Sequence, residues 1–271
     1  MASVSSPNAN PVSIRCLPAT VRRMRILLIG GSGYVGSLML PGLAAHHEVR
    51  VLDLVPPQGD CDHVVGSATD PRLLAAALDG MDAVVHAAMG RRSDTDWPHP
   101  DTASAFEVNV ASVYATLEAA HAAGVPRAVL IGSLSVFDEG RLIDRDVDED
   151  SEPDGTNVYG VTKRLAEQVG RIAADAHGLT VTVLRLAFPT PDEVWPRWAL
   201  PVAEEPVEIR RADGSLVPAL AASDLSAAVS AALERDGGGY DVFHIVGADD
   251  SGPGWRTDKA RDGLGWVARH R

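Results

Sequence analysis

Residues 25–36 read Arg25-Ile26-Leu27-Leu28-Ile29-Gly30-Gly31-Ser32-Gly33-Tyr34-Val35-Gly36, an apolar run that gives way to spaced glycines. Arg25 to Ile29 is a short apolar run stopped by glycine, which has the length of a buried strand. Tyr34 to Ala45 then carries helical spacing. The turn between them holds glycine at positions 30, 33 and 36. At a strand-to-helix turn the first glycine permits a tight bend. The second lets a pyrophosphate approach the backbone, and the third lets helix pack on strand. The helix N-terminus offers free N–H groups and a partial positive charge to the phosphates. Tyr34 and Val35 lie inside this turn and count with its cofactor-binding residues.

A glycine triplet alone is weak, so the neighbouring sequence has to agree with it. Glu48 to Leu54 reads as a second strand with Asp53 near its end, about twenty residues after the turn. A carboxylate there accepts hydrogen bonds from the adenosine ribose and repels a 2′-phosphate, which favours NAD over NADP. Apolar runs and amphipathic stretches keep alternating. Strands are expected at His63 to Val65, Ala83 to His86, Ala128 to Ser133 and Thr180 to Leu186. Helices are expected after Asp70-Pro71, over Ser104 to Ala123 with Gly124 as the stop, and from Asn157 to about Ala176. This rhythm predicts an α/β chain with a Rossmann-type, doubly wound parallel sheet.

After Leu186 the rhythm breaks. Pro189 to Pro206 is proline-rich and carries Trp195 and Trp198, followed by a helix over Asp224 to Glu234 and a strand near Val242 to Val246. The expected organisation is a disordered extension over residues 1–23, a dinucleotide-binding domain over 24–188, and a small substrate-binding cap over 189–271 interleaved with the last sheet elements. The extension has no acidic residue and no apolar core.

The chain has 271 residues and a formal net charge of −13, which excludes the clustered Lys and Arg of a nucleic-acid binder. No run approaches the ~18 apolar residues of a membrane span. Cys16 and Cys61 are far apart and match no disulfide or metal spacing, as expected of a protein in a reducing cytoplasm. No metal site is expected. His46, His47, His99 and His121 show no ligand spacing, and the acidic run 138–154 reads as a solvated loop near a pocket mouth.

Tyr159-Gly-Val-Thr-Lys163 places a phenol and an ammonium four residues apart, on one face of a helix. A neighbouring cation lowers a tyrosine pKa towards working pH, so Tyr159 is a candidate general base. The spacing alone is common. It gains weight because the helix follows a strand ending in Gly132-Ser133, at the sheet edge where α/β ligands bind. Ser133 is a candidate to hold a substrate oxygen.

Taken together, these motifs resemble the extended short-chain dehydrogenase/reductase superfamily, in its epimerase/dehydratase branch. The resemblance runs from about Arg25 to the C-terminus. It implies that Tyr159 takes the proton of a secondary alcohol as hydride moves to NAD, that Lys163 holds the nicotinamide ribose, and that Ser133 orients the reacting oxygen. It further implies that Asp70 meets the adenine, that His86, Ala87 and Ala88 line the cofactor, and that Asn109 holds structure or a relay water. Asp224 and Leu264-Gly265-Trp266 are also family-like. A homodimer through the two long helices is implied as well.

Departures narrow the expectation. Phe137 and Gly132 replace a tyrosine and a serine of many relatives. Val217 stands where nucleotide-sugar relatives have arginine. The compact cap looks more like the uronate dehydrogenases, and Arg185 is then a candidate for a substrate carboxylate. The expected function is hydride transfer between NAD and a polar, sugar- or sugar-acid-like small molecule. The alternatives are an NDP-sugar epimerase or dehydratase with tightly bound NAD, and a redox-inert NAD-binding regulator.

Overall fold

The computed structural model describes residues 22–90, 101–199, 204–248 and 254–270. The expected extension therefore lies outside the described residues up to position 21, as do Cys16 and His99.

Seven parallel strands form the central sheet. They are β1 (Arg25–Ile29), β2 (Glu48–Asp53), β3 (Asp62–Val65), β4 (Ala83–His86), β5 (Arg127–Ser133), β6 (Thr180–Leu186) and β11 (Tyr240–Ile245), in the order β11-β6-β5-β4-β1-β2-β3. Strands buried on both faces read as unbroken apolar runs, and all four residues of β4 are buried. The chain moves outward from β1 to β3 and returns to β4 on the other side of β1, so a crevice opens between β1 and β4 at their carboxyl ends.

Helices cover both faces. The α1 (Tyr34–Ala44), α7 (Ala222–Glu234) and α8 (Asp258–Leu264) helices pack over Ile26, Leu28 and Val129. On the other face α2 (Pro71–Leu78), α4 (Ser112–Ala122) and α6 (Val158–His177) pack over Leu27, Ile29 and Val84.

The expected single helix over Ser104 to Ala123 differs in detail. It comprises α3 (Thr102–Phe106), a widened π-type turn over Glu107–Ala111, and α4, with Gly124 at φ +69° as its stop. The π-type turn turns Asn109 inward, where it is 1% exposed. Residues from 189 onward add β11 at the sheet edge and several short strands. Of these, β7 (Pro189–Thr190) pairs with β10 (Leu220–Ala221), and β8 (Ile209–Arg210) with β9 (Leu216–Val217). A third small core lies beyond the carboxyl ends of β5 and β6, with Phe137 at its centre and the short α5 (Glu139–Leu142) against it.

Among the described residues no helix is long and apolar enough to cross a membrane.

Candidate active site

The glycine turn sits in the crevice. Gly30 has φ +81°, and a Cβ on it would come within 2.5 Å of the Ala88 nitrogen beyond β4. A Cβ on Gly36 would overlap the Gly30 carbonyl. The turn is thus bare backbone pressed against its neighbours, the form a diphosphate needs for close approach. Asp53 locks it from the side: its carboxylate accepts from the Ser32 N–H at 2.9 Å and the Leu54 N–H at 2.7 Å. The Tyr34 hydroxyl lies 2.8 Å from the Pro189 carbonyl oxygen and 2.7 Å from that of Ala199. One side chain therefore ties the turn to the segment after β6.

A cavity of about 650 Å³ runs from this turn to the end of β5. Gly30, Gly33, Tyr34, Val35 and Asp53 line one end, with Gly66 to Thr69 beside them, and Ala87 and Ala88 line its middle. Ser133, Tyr159 and Lys163 line the other end together. This convergence joins residues 103 positions and more apart in sequence, from Gly30 to Ser133. The elongated shape and the bare glycine cradle fit a dinucleotide.

Other expected site residues stand behind the wall. Asp70 caps α2, accepting from the Arg72 and Leu73 N–H groups. His86 Nε2 is 2.8 Å from Ser112 Oγ, and burial, with Lys163 nearby, lowers its pKa to about 3, so it is neutral. Asn109 accepts from the Gly90 N–H at 3.1 Å and donates to Thr162 Oγ1 at 2.9 Å, holding the loop after β4 against α6.

Arg185 stands away from the cavity. Its guanidinium donates to both oxygens of Glu167 at 2.8 Å and lies 5.3 Å from the Phe137 ring centroid. It is 3% exposed and does not line the cavity. A buried carboxylate one turn beyond Lys163 claims this cation because neither charge has water to screen it.

Tyr159 and Lys163 differ from the electrostatic expectation. Lys163 Nζ donates to the Ile131 carbonyl at 2.8 Å and lies 5.7 Å from the Tyr159 ring centroid. Burial lowers the Lys163 pKa to about 8, with Glu167 pulling it back up. Burial likewise raises the Tyr159 phenol to about 12; the Ser133 hydroxyl, hydrogen-bonded to it, lowers it and Glu139 raises it. In the protein alone desolvation sets the direction of the shift.

Glu139, Leu142 and Phe188, which the sequence did not single out, also line the cavity, and Trp198 joins them with its ring 4.9 Å from that of Phe188. Trp195 instead packs against His270 at 5.6 Å. The acidic run is built rather than free: Asp154 pairs with Arg145 at 2.6 Å, and Glu149 accepts from the His244 N–H at 2.8 Å. Among the described residues no three His, Cys, Asp or Glu side chains are placed to hold a metal ion.

Fold and cavity define a dinucleotide-dependent α/β enzyme. The chain belongs to the NAD dependent epimerase/dehydratase family, whose model matches residues 26–245. Its cofactor is accordingly NAD. It is 33% identical over 182 residues to an L-arabinose 1-dehydrogenase (NAD(P)(+)) of Haloferax volcanii, covering 63% of this chain and 69% of that one. Several other relatives are longer, and the chain spans about half of their length.

Among solved structures, a short-chain dehydrogenase/reductase superfamily protein from Agrobacterium tumefaciens with bound NAD superposes with a TM-score of 0.74 at 23% identity. That match covers 91% of this chain and 93% of the other. A uronate dehydrogenase from the same organism gives 0.72 at 23% identity, covering 91% and 84%. Both show the same fold.

Proposed function

We propose that the chain is an NAD-dependent dehydrogenase that oxidises a secondary alcohol of a polar, sugar- or sugar-acid-like small molecule. The observation that carries this reading is the meeting of Ser133, Tyr159 and Lys163 at the far end of the cavity that begins at the glycine turn. When bound, NAD supplies the hydride acceptor and a positive charge beside the buried phenol. Gly30, Gly33, Tyr34 and Val35 hold its diphosphate, with Gly36 packing the helix close behind them, Asp53 holds its adenosine ribose, and Gly66 to Thr69, with Asp70 behind them, hold its adenine. Ala87 and Ala88 flank its middle, with His86 behind them.

Tyr159 takes the alcohol proton as general base, and Ser133 holds the alcohol oxygen next to it. Lys163 holds the nicotinamide ribose, and its positive charge favours the phenolate. Asn109 is a positioning residue that keeps the loop after β4 and α6 in register.

We further assign the chain to the cytoplasm. We assign it also to a homodimer through α4 and α6, whose outer faces expose Tyr114, Leu165 and Ile172. Residues 189–271 are the substrate-binding cap of this reading, joined to the dinucleotide-binding unit of residues 24–188.

The test is NADH formation from NAD and a panel of free sugars, uronic acids, polyols and hydroxysteroids. Tyr159→Phe is expected to lower the rate about 10²–10⁴-fold. Equal NADH formation by wild type and Tyr159→Phe would sink the mechanism. NAD that stays with the protein through purification, with no NADH formed, would move the reading to an epimerase or dehydratase.

A further inference from the structure

Among the described residues, no cation neutralises the Glu139 carboxylate, which lines the cavity. Glu139 opens α5 and lines the same wall as Ser133 and Tyr159. Among the described residues it has no hydrogen-bond or ion-pair partner. The cations closest in sequence are engaged elsewhere: Arg141 with Asp138 and Asp154, and Arg145 with Asp154.

Cations elsewhere are also spoken for. Arg185 is held by Glu167, and Arg210 by Glu208 and the Gly214 carbonyl; neither lines the cavity. Among the described residues only Lys163 brings a positive side chain to the wall, and it donates to the Ile131 carbonyl. The remaining surface near Glu139 is apolar, with Leu142, Ile143, Phe188 and Trp198.

We propose that Glu139 selects the charge of the substrate: the reacting compound is an uncharged polyhydroxylated alcohol whose hydroxyls donate to this carboxylate, and sugar acids are excluded. The inference rests on the dehydrogenase reading above and narrows it. A second carboxylate brought into this wall meets a like charge without a counter-ion. A neutral sugar meets an acceptor for its hydroxyls, in a charge-assisted bond. Because Glu139 also holds the Tyr159 phenol up, hydroxyls that donate to it relieve the base as they bind.

The test compares galactose and galacturonate, which share a ring and differ in a carboxylate, as substrates with NAD. The wild type is expected to favour galactose in kcat/KM by at least about tenfold, with the ratio shrinking as salt is raised. Glu139→Gln is expected to bring the ratio towards one, chiefly by raising kcat/KM for galacturonate. Wild type that uses galacturonate as well as galactose overturns the proposal, and so does a ratio that Glu139→Gln leaves unchanged.

If neither sugar yields NADH, calorimetric titration of both sugars into the NAD-loaded proteins separates the two ideas. Galactose binding tighter than galacturonate in the wild type, with the gap closed in Glu139→Gln, upholds Glu139 while the dehydrogenase reading fails. Equal binding in both proteins, or no binding at all, overturns Glu139 as well.

Discussion

Replacing Arg185 with methionine removes the partner of a carboxylate that water does not reach. Glu167 is 6% exposed, and both of its oxygens accept from that guanidinium at 2.8 Å. Deleting one member of a buried pair costs about 3–5 kcal/mol, because the surviving charge is left desolvated. For a chain of this size each kcal/mol moves Tm by roughly 2–4 °C, so the midpoint is expected to fall by roughly 6–20 °C. The double variant Arg185→Met, Glu167→Met removes both charges and is expected to recover most of the loss. The assay is thermal unfolding followed by circular dichroism, run beside steady-state kinetics on each variant. A Tm within ~2 °C of wild type together with a KM raised tenfold would refute the argument and return Arg185 to the substrate.

Three further outcomes are expected. His244 is fully buried, and burial, helped by Arg185, lowers its pKa from 6.5 to about 3. The folded ring stays neutral while the unfolded one protonates. Its contribution is therefore complete above pH ~6.5 and lost as pH falls towards 3, by up to about 1.4 kcal/mol per unit. Urea unfolding between about pH 7 and about pH 4 is expected to show a flatter slope in His244→Leu; an unchanged slope counts against the assignment. Asp53→Ala frees the Ser32 and Leu54 N–H groups and removes the negative charge beside the ribose. The NAD-to-NADP preference in kcat/KM is then expected to fall about tenfold or more, and an unaltered preference would contradict the role. Gly36→Ala drives a methyl into the Gly30 carbonyl, so NAD affinity in a fluorescence titration is expected to drop at least about tenfold. Wild-type affinity there would mean the turn yields easily.

Much of this architecture is legible in the sequence because backbone constraints leave clear marks. The strands β1 and β6 begin and end where their apolar runs do, and Asp70 caps α2 as its pairing with proline predicts. Side-chain partnerships across the fold leave no such marks. Arg185 and Glu167 come from different elements, and only the packing of α6 over β6 brings them together. The π-type turn at Glu107–Ala111 adds one residue to a helical turn without disturbing composition, so a 3.6-residue period passes over it. The run 138–154 reads as solvated because its nine acids outnumber its two arginines. In the fold several of those acids accept from backbone N–H groups, a use that charge counting does not register.

The position of β11 has a consequence for biogenesis. β6 is buried along nearly its whole length, yet its outer neighbour, Tyr240–Ile245, is translated only after more than fifty further residues. At about 5–20 residues per second the nascent chain carries an unpaired apolar strand for several seconds. During that interval β6 is a template for pairing with any other extended chain nearby. The late strand closes that window, which makes the final third of the polypeptide a safeguard against aggregation as well as a wall of the cavity.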